Sequence, residues 1–121
     1  MFMNHIHLTV RDLDRAVVFY RDVLGLGVEE MPQANMASVR ASEHVSVDLD
    51  RWSEPAEGEP PVTLGFVVAS ADEAFVALQA KGVVLDEQPR DQYWGVRNFY
   101  FRDPDGYIIE CLQPLVRPAK A

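Results

Sequence analysis

The sequence predicts an α+β fold: two βαβββ copies forming a curved mixed sheet with a concave cavity. Three observations carry this expectation: an internal repeat, an amphipathic helix pattern in each copy, and strand alternation that gathers polar side chains on one face. Shifted by 58 positions, Asp14, Arg15, Ala16, Val17 and Val18 fall on Asp72, Glu73, Ala74, Phe75 and Val76, and Tyr20 falls on Leu78. Self-similarity at a fixed offset marks one supersecondary unit used twice.

Copy one, residues 1–50, opens with the strand-like run IHLTV. The segment DLDRAVVFYRDVLG then carries Leu13, Ala16, Val17, Tyr20, Val23 and Leu24 at helical spacing. Asp12 stands in the N-cap position and Gly25 at the stop, where a left-handed residue closes a helix. Three short strands are expected around GVEEM, ASVRA and HVSVDLD. Residues 51–61, RWSEPAEGEPP, read as a proline-rich acidic linker. Copy two, residues 62–113, repeats the order. VTLGFVV is its first strand, and SADEAFVALQAKG its helix, with a Ser70 to Glu73 capping box, a stripe of Ala71, Ala74, Phe75 and Leu78, and Gly82 at the end. VVLDE, VRNFYF and YIIECL supply its remaining strands, the last two joined as a hairpin by the turn DPDG at 103–106. Residues 114–121 form a short tail, and the whole chain, 1–121, reads as a single domain.

Composition narrows the function classes. A chain of 121 residues buries roughly two thirds of its unfolded surface and needs no staple. Its single cysteine, Cys111, cannot form an intrachain disulfide and is read as a small core residue. The start MFMNHIHL lacks the features of a signal peptide, and no apolar run is long enough to span a bilayer, so the expectation is a cytoplasmic protein without a membrane partner. With 19 acidic against 11 basic residues the net charge is -8, which disfavours nucleic acid and anionic lipid and suits a cationic ligand.

Alternation along each strand sorts the faces, because successive side chains point to opposite sides of a sheet. Ile6, Leu8 and Val10 form the apolar set, which sends His5, His7 and Thr9 to the other face. Val47 and Leu49 face the core, so Ser46, Asp48 and Asp50 share the histidines' side. In copy two the same rule turns Thr63, Gly65 and Val67, then Asn98 and Tyr100, then Glu110, away from the helix. A sheet face carrying His, Asp, Asn, Tyr and Glu can line a ligand cavity. Arg97 is in phase with Phe99 and Phe101 and is expected to tie down the loop before it.

HIHLTVRDLDRAVVFYRDVLGLG in copy one and FYFRDPDGYIIE in copy two, together with the repeat, resemble the vicinal oxygen chelate superfamily: glyoxalases, bleomycin and fosfomycin resistance proteins, and extradiol dioxygenases. The resemblance implies four metal positions in the cavity. His5 matches the first-strand histidine, Asp48 stands where glyoxalases carry a glutamate, and Glu110 matches the last-strand glutamate. The fourth position falls on Thr63, a neutral and poor ligand for a divalent transition ion. His7, two residues along the strand and so roughly 7 Å away, is not expected to fill the gap. YWGVR, residues 93–97, resembles a run in the drug-binding resistance proteins, which implies that Trp94 stacks on a flat ligand with Tyr93, Asn98 and Tyr100 nearby. The favoured reading is therefore a resistance-type protein that sequesters a small organic molecule, a drug or metabolite, without a cofactor. His5, His7, Asp48, Thr63, Tyr93, Trp94, Asn98, Tyr100 and Glu110 would be its ligand contacts. The resemblance further implies a homodimer with the cavity at its interface. The alternative is a metal-dependent lyase, isomerase or dioxygenase holding Zn, Ni, Mn or Fe through His5, Asp48 and Glu110, with Glu110 moving the proton.

Overall fold

Asp12 and Ser70 open two helices at equivalent places in the repeat, and each does so with its own side chain. Asp12 Oδ1 accepts from the Arg15 amide at 3.0 Å, and Ser70 Oγ from the Glu73 amide at 3.2 Å. The second start has a further cap: Gln113 Oε1 accepts from the Ala71 amide at 2.9 Å, satisfying another of the amides a helix start leaves over. The computed structural model describes residues 4–51 and 62–115. The expected linker beyond Arg51 and the tail beyond Leu115 lie outside the described residues.

The elements run β1 (His5–Thr9), α1 (Leu13–Val18), β2 (Gly27–Met31), β3 (Met36–Arg40), β4 (Ser46–Asp50), β5 (Thr63–Val67), α2 (Ala71–Ala80), β6 (Arg90–Gln92), β7 (Val96–Arg102) and β8 (Ile108–Pro114). The chain forms two compact units, Met1–Glu59 and Pro60–Ala121. Each has one four-stranded mixed sheet, ordered β1-β4-β3-β2 in the first unit and β5-β8-β7-β6 in the second. In both, the first strand pairs in parallel with the last and the other pairs are antiparallel, as a βαβββ repeat requires.

Each unit packs its helix on one sheet face. In the first, Leu8, Val10, Val17, Tyr20, Val39 and Leu49 are buried; in the second, Leu64, Phe75, Leu78, Phe99, Phe101 and Ile109. Two local expectations are corrected. The helical stripe expected to run through Leu24 leaves α-geometry at Val18 and passes into a π turn, Phe19–Val23, with the Leu24 amide bonded to the Phe19 carbonyl at 3.0 Å. The wider turn shifts the later side chains around the axis. Phe19 is buried, while Val23 and Leu24 are only half-buried. The segment VVLDE does not form a strand. Gly82, at φ +87°, closes α2, and the Val83 amide donates to the Leu78 carbonyl at 3.1 Å, so the helix terminus takes the first donor of that segment. The edge strand is β6 instead. Among the described residues no helix is long and apolar enough to cross a membrane.

The DPDG hairpin turn is held from within. Asp103, buried, accepts from the amides of Asp105 and Tyr107 at 2.9 Å each, the bonding that makes aspartate a turn former.

Candidate metal and ligand site

In the first unit the parallel pairing of β1 with β4 sets His5 beside Ser46, His7 beside Asp48 and Thr9 beside Asp50. All six lie on the face opposite α1, as alternation requires. One ligand atom from each of His5, His7 and Asp48 lies within 4.8 Å of the others. The two rings stand closer than the roughly 7 Å backbone spacing along a strand that was expected to keep His7 apart from His5: they lean together to a centroid distance of 5.1 Å.

The hydrogen bonds define which nitrogen of each ring is available. His7 Nδ1 lies 3.3 Å from Asp50 Oδ2, and His5 Nδ1 lies 2.6 Å from Asn4 Oδ1. A carboxylate can only accept, so the neutral His7 ring carries its proton on Nδ1 and keeps its lone pair on Nε2. That lone pair is 3.7 Å from Asp48 Oδ2. The same assignment at His5, through the Asn4 amide oxygen, frees its Nε2. Asp48 is 15 % exposed at its side chain, and its Oδ1 is buried without a hydrogen-bond partner. Leaving such an oxygen unmatched costs about 1–3 kcal/mol or more. Two imidazoles and one carboxylate, whose Oδ1 is buried and unmatched, form a donor set that fits a divalent ion such as Zn or Ni. In a tetrahedral site with bonds of about 2.0–2.1 Å, neighbouring donors stand roughly 3.4 Å apart, close to the 3.7 Å between His7 Nε2 and Asp48 Oδ2.

The second unit holds the other expected residues. Thr63 is exposed and pairs with Ile108, and Glu110 pairs with Gly65 on one side and Tyr100 on the other. Glu110 is tied into a chain of polar contacts. Asn98, 2 % exposed, donates from Nδ2 to Glu110 Oε2 at 2.8 Å and to the Tyr100 hydroxyl at 3.2 Å, and its Oδ1 accepts from Gln92 at 3.0 Å. A Cβ at Gly65 would meet Glu110 Oε1 at 3.6 Å and Leu112 at 3.5 Å, ordinary contact distances, so the position lies directly beside the Glu110 carboxylate. Tyr93 and Trp94 form the turn between β6 and β7, 94 % and 48 % exposed, edge to face at 4.9 Å. Arg97 turns the other way and binds Asp72 and Asp91 at 3.0 Å each, fastening the start of α2 to β6.

Sequence reasoning placed Asp50 on the histidines' face without giving it a role, and it missed Gln92. No local signal marks Gln92, because its strand was expected seven residues earlier, at VVLDE, starting at Val83 rather than Arg90. A surface pocket of about 250 Å³ in the first unit, with Asp12, Asp14, Glu30 and Arg51 on its walls, contains none of the expected site residues.

Fold and site together define a βαβββ-repeat protein with a polar sheet face in each unit, and comparison with known proteins makes the class specific. The chain belongs to the glyoxalase/bleomycin resistance protein/dioxygenase superfamily, whose family model matches residues 2–111. It is 27 % identical over 128 residues to the uncharacterized protein YraH of Bacillus subtilis, covering 95 % of this chain and 100 % of that protein. It is 26 % identical over 114 residues to the metallothiol transferase FosB of Shouchella clausii, covering 89 % of this chain and 77 % of that one. A glyoxalase/bleomycin resistance protein/dioxygenase from Nocardioides shares the fold with a TM-score of 0.78 at 24 % identity, over 100 % of this chain and 89 % of that chain.

Proposed function

We propose that the protein binds a small organic molecule carrying oxygen donors, with a divalent cation held on the polar face of the first unit by His5, His7 and Asp48. The observation that carries this reading is the convergence of one ligand atom from each of those three side chains to within 4.8 Å, on a carboxylate whose Oδ1 is buried and unmatched. When bound, such an ion supplies Lewis acidity and a template for vicinal oxygens. The residues do the rest: Asp48 offsets the charge, the two imidazoles fix the orientation, and the net charge of -8 attracts cations to the surface. FosB, a metallothiol transferase by name, supports the metal. This reading departs from cofactor-free sequestration, because the shortage at Thr63 is met by His7 in the first unit.

The second unit carries its own candidate contacts for a small organic molecule: the Glu110 carboxylate held by Asn98, the Tyr100 hydroxyl, and the exposed Tyr93 and Trp94 rings. Homodimerisation, cytoplasmic location and a role in drug or metabolite handling belong to the same proposal. Calorimetric titration of untagged protein with Ni or Zn tests it. Binding at micromolar Kd or tighter, and a rise in Tm with metal, is the expected result, since a ligand that binds only the folded state stabilises it. Absence of binding at millimolar metal would return the reading to sequestration without a cofactor.

A further inference from the structure

We propose that Asp50 is the positioning residue that makes His7 a metal donor, so that β1 supplies both imidazoles and the site does not require the histidine that position 63 lacks. The inference rests on the metal reading above and assigns its internal arrangement. Asp50 is 8 % exposed and lies two residues beyond Asp48 on the same strand face, paired in register with Thr9. Its Oδ2 reaches back to His7 Nδ1 at 3.3 Å, while His7 Nε2 faces Asp48 Oδ2 at 3.7 Å.

The chemistry of this pair of contacts is directional. The Asp50 carboxylate accepts the Nδ1 proton, which fixes the tautomer and leaves the Nε2 lone pair directed at an anionic oxygen. Two electron-rich atoms facing each other at that distance repel unless a proton or a metal cation lies between them, and a metal ion is the occupant that the His5 ring can share. The arrangement is thus a carboxylate, imidazole, cation, carboxylate series, in which the outer carboxylate orients the ring and raises its basicity as a ligand. His5 has a weaker counterpart, since its Nδ1 is held by the neutral Asn4 amide at 2.6 Å. Both rings therefore present Nε2 from one strand, separated by one residue whose side chain, Ile6, points to the core. Alternation makes this geometry available to any His-x-His strand. The buried Asp50 selects the productive orientation.

The test uses the full, untagged chain with Ni or Zn alone. Kd values by calorimetry are compared for the parent, His5→Ala, His7→Ala and Asp50→Asn, with Tm and circular dichroism on each. The proposal expects His7→Ala and Asp50→Asn each to weaken binding 10- to 100-fold. It also expects long-range proton–nitrogen NMR of the metal-free parent to show a proton on His7 Nδ1, and zinc to shift His7 Nε2. If His5→Ala and His7→Ala weaken binding while Asp50→Asn stays within twofold of the parent, the inference fails and the metal reading stands; if His7→Ala also stays within twofold, both fail. Coordination of zinc through His7 Nδ1 would overturn it as well. If the parent binds neither metal, both fall. Should Asp50→Asn prove unfolded, His7→Ala, whose ring is half exposed, and the NMR assignment decide the matter.

Discussion

Asn98 shows how much one residue can settle in this fold. Its amide is almost fully buried and makes three hydrogen bonds, with both donors directed at groups on the polar face. Replacing it with alanine leaves Glu110 Oε2 and the Gln92 amide without those partners, and unsatisfied buried groups cost about 1–3 kcal/mol each. Asn98→Ala is therefore expected to lower stability by about 2–4 kcal/mol in urea denaturation. Asn98→Asp should cost more, because it adds a second carboxylate beside Glu110 in a partly desolvated site. Cys111 illustrates the opposite case: burial pushes its thiol up to about 11, with Glu110 adding to the effect, so it is a packing residue and not a nucleophile.

At the scale of elements, both helices were legible because their signals are local: a capping side chain, a 3.6-residue stripe and a closing glycine. Gly82 is the sharpest example. Its φ of +87° disfavours any side chain even though nothing lies within 4 Å of a Cβ there. Gly82→Ala is expected to cost about 1 kcal/mol, read as a fall in Tm of several degrees, through backbone strain and not through a clash. The π turn and the edge strand were not legible. Phe19 is buried through the altered turn geometry, which the spacing of apolar residues alone does not reveal. Val83 and Leu85 alternate like a strand, yet the Val83 amide is already bonded to the end of α2.

For the whole molecule, the repeat explains why one sequence rule applies twice. Each unit covers one face of its sheet with a helix, and the opposite face carries the candidate site residues. Trp94 and Tyr100, 48 % and 44 % exposed, stand with Val67 among the large exposed side chains of the second unit. Exposed apolar and aromatic surface of this kind suits an interface. Static light scattering is expected to give twice the 13.6 kDa chain mass at micromolar concentration. A mass of one chain would refute the dimer while leaving the metal cluster intact, because His5, His7 and Asp48 all belong to one unit.

By itself the sequence determined the repeat, the two helix starts, the stop of the second helix at Gly82, most strands, and the face on which His5, His7, Asp48, Asp50, Asn98 and Glu110 lie. These follow from interactions between residues a few positions apart and from the strict two-residue alternation of a strand. Tertiary structure alone decided the register of β1 on β4, which sets His7 beside Asp48. It also decided the lean of the His5 and His7 rings and the reach of Asp50 to Nδ1. Register depends on how two strands distant in sequence pack over a common core, and ring orientation on partners that only this pairing brings near. Alternation can assign a side chain to a face, but it cannot say which neighbours it meets there.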